Sequence, residues 1–183
     1  FSALRWDRVA ETLAPYIAAE NSDAVRIALA EGLGATRSPH AVKPLTELLD
    51  KPRRRPLVTK AAADALARTG DPRAADPLFK LLHQPDAETA RIALNACAAL
   101  LGTLRDGPAL EKAMSRFIAF YEMLDPHAYP GHGAQGCAAH RLFDALYEPM
   151  RFAMLAVTEY HYKSGAEYRL WWNRNKEAWL RAR

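Results

Sequence analysis

The chain has 183 residues, half of them apolar and a quarter charged, with a net charge of +4. That length suits one domain, or a solenoid with an appended cap, and the apolar share is enough for a sizeable core. No stretch comes near the ~18 uncharged apolar residues of a membrane span, so no membrane insertion is expected.

The opening FSALRWDRVAETL has neither an initiator Met nor a signal-peptide pattern, which points to a processed or truncated start. The expectation is a soluble protein of the cytoplasm or periplasm, with the compartment left open by the two cysteines. Cys97 falls on an apolar helix and reads as a small buried hydrophobe, whereas Cys137 begins a later helix. Charge is uneven: residues 51–60 carry +5 and residues 169–183 carry +4, while the remaining stretches are neutral or acidic. A nucleic-acid binder would more often spread Lys and Arg along a whole face.

In chain order, Val9, Leu13, Tyr16 and Ile17 give the inward side of a first helix. Val25, Ala28, Leu29 and Leu33 give that of a second. Ser38 then reads as an N-cap and Pro39 as a first helical residue, where the missing N–H costs nothing. Val42, Leu45, Leu48 and Leu49 follow at spacings of 3, 3 and 1, on one face of a helix over 38–49. Val58, Ala61, Ala62, Ala65 and Leu66 mark the next helix. Asp71, Pro72, Ala75, Leu78, Leu81 and Leu82 then repeat the capped pattern. Pro44 and Pro77 lie inside these helices and predict a recurring bend. The links 34–37 and 69–70 contain Gly, a natural helix stop.

Further along, helices are predicted over 88–101 and 108–123, the latter with Leu110, Ala113, Met114, Phe117, Ile118 and Tyr121 inward. Residues 125–136, DPHAYPGHGAQG, read as a loop. Helices over 138–148 and 151–162, separated by a break at Pro149, and over 167–180 complete the chain.

Leu33, Pro39, Pro44, Leu45, Leu48 and Leu49 recur as Leu66, Pro72, Pro77, Leu78, Leu81 and Leu82, each shifted by 33 residues. Arg26-Ile27-Ala28-Leu29 returns as Arg91-Ile92-Ala93-Leu94. One such helix pair cannot bury its apolar face alone, so copies stack with a continuous core. The fold class is therefore all-α, a solenoid of antiparallel helix pairs over 1–122, its first repeat incomplete, followed by a loop and Trp-rich helical cap over 123–183. Because the chain opens on what matches the second helix of a pair, without its first, an upstream segment or another chain is expected to cover that end.

A 32–33-residue helix pair entered through Asp71-Pro72-Arg73-Ala74, and more weakly through Ser38-Pro39-His40-Ala41, resembles the short HEAT repeats. The Arg after Val25 and after Ala90 fits the same family; Thr59 departs from it. The resemblance covers roughly 5–122 and implies a right-handed solenoid whose second helices line the concave side. Many members of that family are scaffolds, and a few relatives are bilin lyases or DNA glycosylases. The end YRLWWNRNKEAWLRAR is similar to a Trp-x-x-Trp-Trp-x-x-Asn tail of some bacterial HEAT-repeat proteins. Trp171, Trp172 and Asn175 match, and Tyr168 replaces the first Trp. No catalytic role comes with that tail.

The aromatic residues Tyr168, Trp171, Trp172 and Trp179 read first as a cap closing the apolar end of the stack, and second as a docking helix or nucleobase platform. His127, His132, Cys137 and His140 are metal-capable types, but their spacings match no zinc pattern, so no metal and no cofactor are expected. Gly-x-Ser-x-Gly, a phosphate-cradling Gly loop, His-Glu-x-x-His and CxxC are all missing, so catalysis has little support.

The expected role is non-catalytic binding of another protein, as a scaffold or accessory subunit. The expected contact residues are Lys43, Glu47, Arg73, Asp76 and Lys80 on the second-type helices, with Arg53, Arg54 and Arg55 in a link between repeats. Nucleic-acid binding of the glycosylase-like kind would need a continuous basic groove, which Glu47 and Asp76 interrupt. A bilin-lyase-like enzyme is the remaining alternative, and no residue here marks a pigment site.

Overall fold

A computed structural model of the chain describes residues 2–50, 55–124 and 138–182. Among these residues it is all helical, with no strand: α1 (Ser2–Ala19), α2 (Asp23–Thr36), α3 (Val42–Glu47), α4 (Pro56–Thr69), α5 (Ala75–Leu82), α6 (Ala87–Thr103), α7 (Gly107–Leu124), α8 (Ala138–Thr158) and α9 (Gly165–Arg181). The helices alternate between two layers. In the first, α2 packs on α4, α4 on α6 and α6 on α8. In the second, α1 meets α3, and α7 packs on α9. Contacts between α1 and α2, α3 and α4, α5 and α6, and α7 and α8 join the layers. One apolar core runs through the stack, from Ile17 to Trp172. This is the expected solenoid of sequential helix pairs. The sequence repeat fades after α7, yet α8 and α9 keep the alternation.

The entries to the second-layer helices explain the repeat. The Ser38 hydroxyl accepts from the His40 N–H at 3.2 Å, and the Asp71 carboxylate accepts from the Arg73 N–H at 2.8 Å. Each cap opens a 3-10 turn, Pro39–Ala41 or Pro72–Ala74, and only then does the α-helix start. Pro44 and Pro77 are consequently the third residues of α3 and α5, not mid-helix residues as the sequence suggested. Backbone N–H groups in a first helical turn have no intrahelical acceptor, so neither proline removes a hydrogen bond.

Three other expectations are revised. Gly34 does not stop α2; it is buried inside it, and the stop is Arg37, at φ 53°. The equivalent stop of α4 is Gly70, at φ 65°. Val25 and Ala28 are exposed, whereas the equivalent Val58, Ala61, Ala90 and Ala93 are buried. The helices α4 and α6 have first-layer neighbours on both sides, while α2 has a described one only in α4. Tyr16 is likewise 64% exposed, while Ile17 is buried as expected and Ala10 is buried as well. Finally, Pro149 does not break the chain into two helices. It sits inside one continuous helix, α8, because Leu146 and Met150 on its flanks are both fully buried. Packing of that face on α6 and α7 outweighs one lost backbone bond.

The aromatic C-terminal segment closes onto α7. Tyr168 is fully buried with its ring 5.8 Å from that of Tyr121, and the Trp172 indole N–H donates to Ser115 Oγ at 3.1 Å. Two ion pairs flank this seam, Arg169 with Glu122 and Lys176 with Glu111, both at 2.7 Å. Cys97 is buried, and burial pushes its thiol far above the usual range.

Candidate protein-interaction surface

The polar positions of the second layer come in repeat-related pairs. Lys43 and Glu47 project from α3, and Asp76 and Lys80 stand 33 residues later on α5. All four are exposed. The signs invert between repeats: Lys43 is matched by Asp76, and Glu47 by Lys80. This surface is thus a mosaic of both charges, not a basic groove.

Arg73 is exposed but engaged. Its guanidinium donates to both Asp71 carboxylate oxygens, at 3.0 and 2.8 Å, and reaches back across the repeat to the Pro39 carbonyl at 3.1 Å. The Arg73 guanidinium beside Asp71 holds that carboxyl below its ordinary value, mainly through the side-chain hydrogen bond. Asp76, 77% exposed, accepts from Arg116 on α7 at 2.6 Å. Arg116 in turn lies 4.3 Å above the Phe79 ring. Sequence reasoning missed Arg116, since nothing along the chain ties it to a residue 40 positions away. The charged groups of Lys43, Glu47, Lys80 and Lys112 make no ion pair among the described residues, so they are free to meet a partner.

Of the arginine run, only Arg55 is described. Arg55 sits at the entry to α4, in the first layer, and pairs with Asp23 on α2 at 3.1 Å. Arg53 and Arg54 lie outside the described residues, as do His127, His132 and Cys137; the His140 side chain is also outside them. Among the described residues no group of three or more His, Cys, Asp or Glu side chains comes together, and no helix is long and apolar enough to cross a membrane.

Depressions on the surface of the described residues include two with an apolar lining. One of about 440 Å³ crosses the first layer, with Ile27, Leu57, Ala61 and Ala99 as its apolar lining and Lys60 and Asp64 paired at its rim. The other, of about 250 Å³, lies along α9.

No curated protein and no solved structure matches this chain. A family model described as HEAT repeats matches residues 10–114, more than half of the chain, running from α1 into α7. With the capped 33-residue helix pairs and the two stacked layers, that match places the protein in the HEAT repeat family.

Proposed function

We propose that this chain is a non-catalytic binding module that offers the polar face of its second layer to another protein, as a scaffold or accessory subunit. HEAT repeats generally mediate protein–protein interactions. The observation that carries the reading is the set of exposed, unpaired charges of both signs: Lys43, Glu47 and Lys80, on short helices whose starts are fixed by caps and 3-10 turns, and Lys112 on the longer α7. Such a surface is rigid in backbone and specific in charge pattern, which favours recognition of one complementary partner over any polyanion. By family resemblance this layer is the concave one.

The test is cross-linking of the intact chain in extracts of its native source with an amine-reactive reagent, followed by mass spectrometry. The partner's cross-links are expected at Lys43, Lys80 and Lys112 and to vanish with Lys80→Glu. Cross-links confined to the first layer, or micromolar binding to arbitrary duplex DNA near physiological salt, would replace this reading with another.

A further inference from the structure

We infer that Arg116 is a releasable clasp between α5 and α7, and that the second layer, which it spans, is the side on which the solenoid changes its curvature. The two layers are joined along the stack in different ways. In the first layer, small residues let backbones approach closely. A Cβ added to Gly34 of α2 would fall 2.7 Å from the Ala65 Cα on α4. One repeat on, Thr103 Oγ1 of α6 donates to the Ala67 carbonyl of α4 at 2.7 Å. Helices α2, α4 and α6 pack extensively on one another in this way. Backbones so close have little room to slide or separate.

The second layer has no such seam in its middle. Neither α3 and α5 nor α5 and α7 approach one another as the first-layer helices do. Above the shared core, side chains span these joints. Arg73 reaches from the entry of α5 to the Pro39 carbonyl at 3.1 Å. Arg116 reaches from α7 to Asp76 on α5 at 2.6 Å, with its guanidinium 4.3 Å above the Phe79 ring. The His83 and Phe120 rings meet edge to face at 5.3 Å. Small shear movements of packed helices are accommodated by side chains more readily than by a backbone seam.

Of these bridges, Arg116 is the one placed to let go. Arg73 is held at home by both Asp71 carboxylate oxygens. Asp76 is 77% exposed, so water and foreign carboxylates compete for its partner, and an exposed pair is weakly held. The Asp71 cap and the 3-10 turn fix the start of α5. Release therefore moves a rigid helix relative to α7 and leaves its shape alone. The consequence is a change in the spacing of Lys43, Lys80 and Lys112, which stand on α3, α5 and α7. This holds whether or not those lysines meet a partner.

Pulsed electron spin resonance on the full chain reads the spacing directly. One pair of spin labels, at Lys43→Cys and Lys112→Cys, spans the second layer, and another, at Glu31→Cys and Asn95→Cys, spans the first. All four positions are exposed. A Cys137→Ser background is used, and Cys97 is buried away from the label. Arg116→Met keeps an unbranched stem beside Phe79 and removes the charge. It is expected to lengthen or broaden the Lys43–Lys112 distribution by roughly 1–2 Å, the scale of helix shifts at packed interfaces, with the Glu31–Asn95 distribution unchanged. Asp76→Ala, at a mostly exposed position, removes the same ion pair and spares the ring contact. It should move the second-layer distribution in the same direction, and it decides the matter if Arg116→Met does not fold. The inference is overturned if Asp76→Ala leaves the second-layer distribution as it was, or if the first-layer spacing changes as much as the second.

Discussion

Arg116 on α7 holds Asp76 on α5 at 2.6 Å across two successive second-layer helices, so this acid is answered inside the molecule before any partner arrives. Arg116 also covers the Phe79 ring. Asp76 is mostly exposed, and an exposed pair of this kind couples by at most about 1 kcal/mol. A double-mutant cycle of Arg116→Met and Asp76→Asn should return a coupling in that range, while Arg116→Ala should cost more than Asp76→Asn because the ring contact is lost as well. Equal costs for the two single changes would count against the ring contact.

The repeat register predicts that Leu45 and Leu78, 33 residues apart and both fully buried, respond alike. Truncation of either to Ala should cost about 2–5 kcal/mol in denaturant unfolding, the range for emptying a packed core site. Val25→Ala, exposed where its own repeat mate Val58 is buried, should stay within about 0.5 kcal/mol, as surface changes usually do. A large loss at Val25 with none at Leu78 would mean that the register is wrong.

Two positions at the end of α2 separate close approach from backbone strain. A Cβ added to Gly34 would fall 2.7 Å from the Ala65 Cα and Cβ. Gly34→Ala should therefore push α2 off α4 and cost about 1–3 kcal/mol, as overpacking does. Arg37, in contrast, occupies the left-handed conformation that Gly70 supplies one repeat later. That conformation costs an L-residue ~1–2 kcal/mol, partly offset by the extra freedom of Gly in the unfolded chain. Arg37→Gly should raise the melting temperature or leave it unchanged, and Gly70→Ala should lower it.

Much of this fold was legible because the information is local and repeated. The caps Ser38 and Asp71, the prolines beside them and the leucine spacing act within one turn or one helix, and duplication confirms each of them. What escaped depends on neighbours. Val25 and Ala28 have the pattern of an inward face but no described helix on that flank. Pro149 has the pattern of a break but is overridden by burial of Leu146 and Met150. Gly34 reads as a stop and is instead the point of closest approach to Ala65. In the candidate surface, Lys43, Glu47, Asp76 and Lys80 were legible as polar positions of a repeat. That Asp76 and Arg73 are already partnered was not, because Arg116 and the Pro39 carbonyl approach only in three dimensions.

Acid should loosen the junction between the first two second-layer entries. Arg73 holds the Asp71 carboxyl below its usual value of 3.8, chiefly by the side-chain hydrogen bond. A depressed carboxylate stabilises the fold at pH above its unfolded value, and that contribution disappears as pH falls through the lower folded value. Urea midpoints measured between neutral pH and about pH 2 should therefore decline at the acid end, and Arg73→Ala should flatten part of that decline while lowering the neutral plateau. An acid limb identical in the two proteins would show that this pair does not contribute to it.

Binding kinetics should divide the candidate residues in two. Lys80 is exposed and unpaired, so its reversal to Glu acts on the formed complex. If it is one of the few anchoring positions, the cost is about 2 kcal/mol or more, a roughly 30-fold loss appearing mainly in the dissociation rate. Arg73 is a less clean probe, because its reversal also breaks the contacts to Asp71 and Pro39. The run Arg53 to Arg55 adds charge beside a repeat, and Arg55 is partly answered by Asp23. A charged run of that kind steers encounter more than it holds a complex, so replacing all three with Gln should slow association severalfold at low salt and leave dissociation nearly unchanged. Surface-immobilised partner, with both rates read at two salt concentrations, measures this directly. The wild-type association rate should fall with salt and the triple variant's much less. A variant that dissociates faster with unaltered association would place the arginine run in the interface itself. Tight binding of any duplex, lost steeply with salt, would assign the run to phosphate contacts instead.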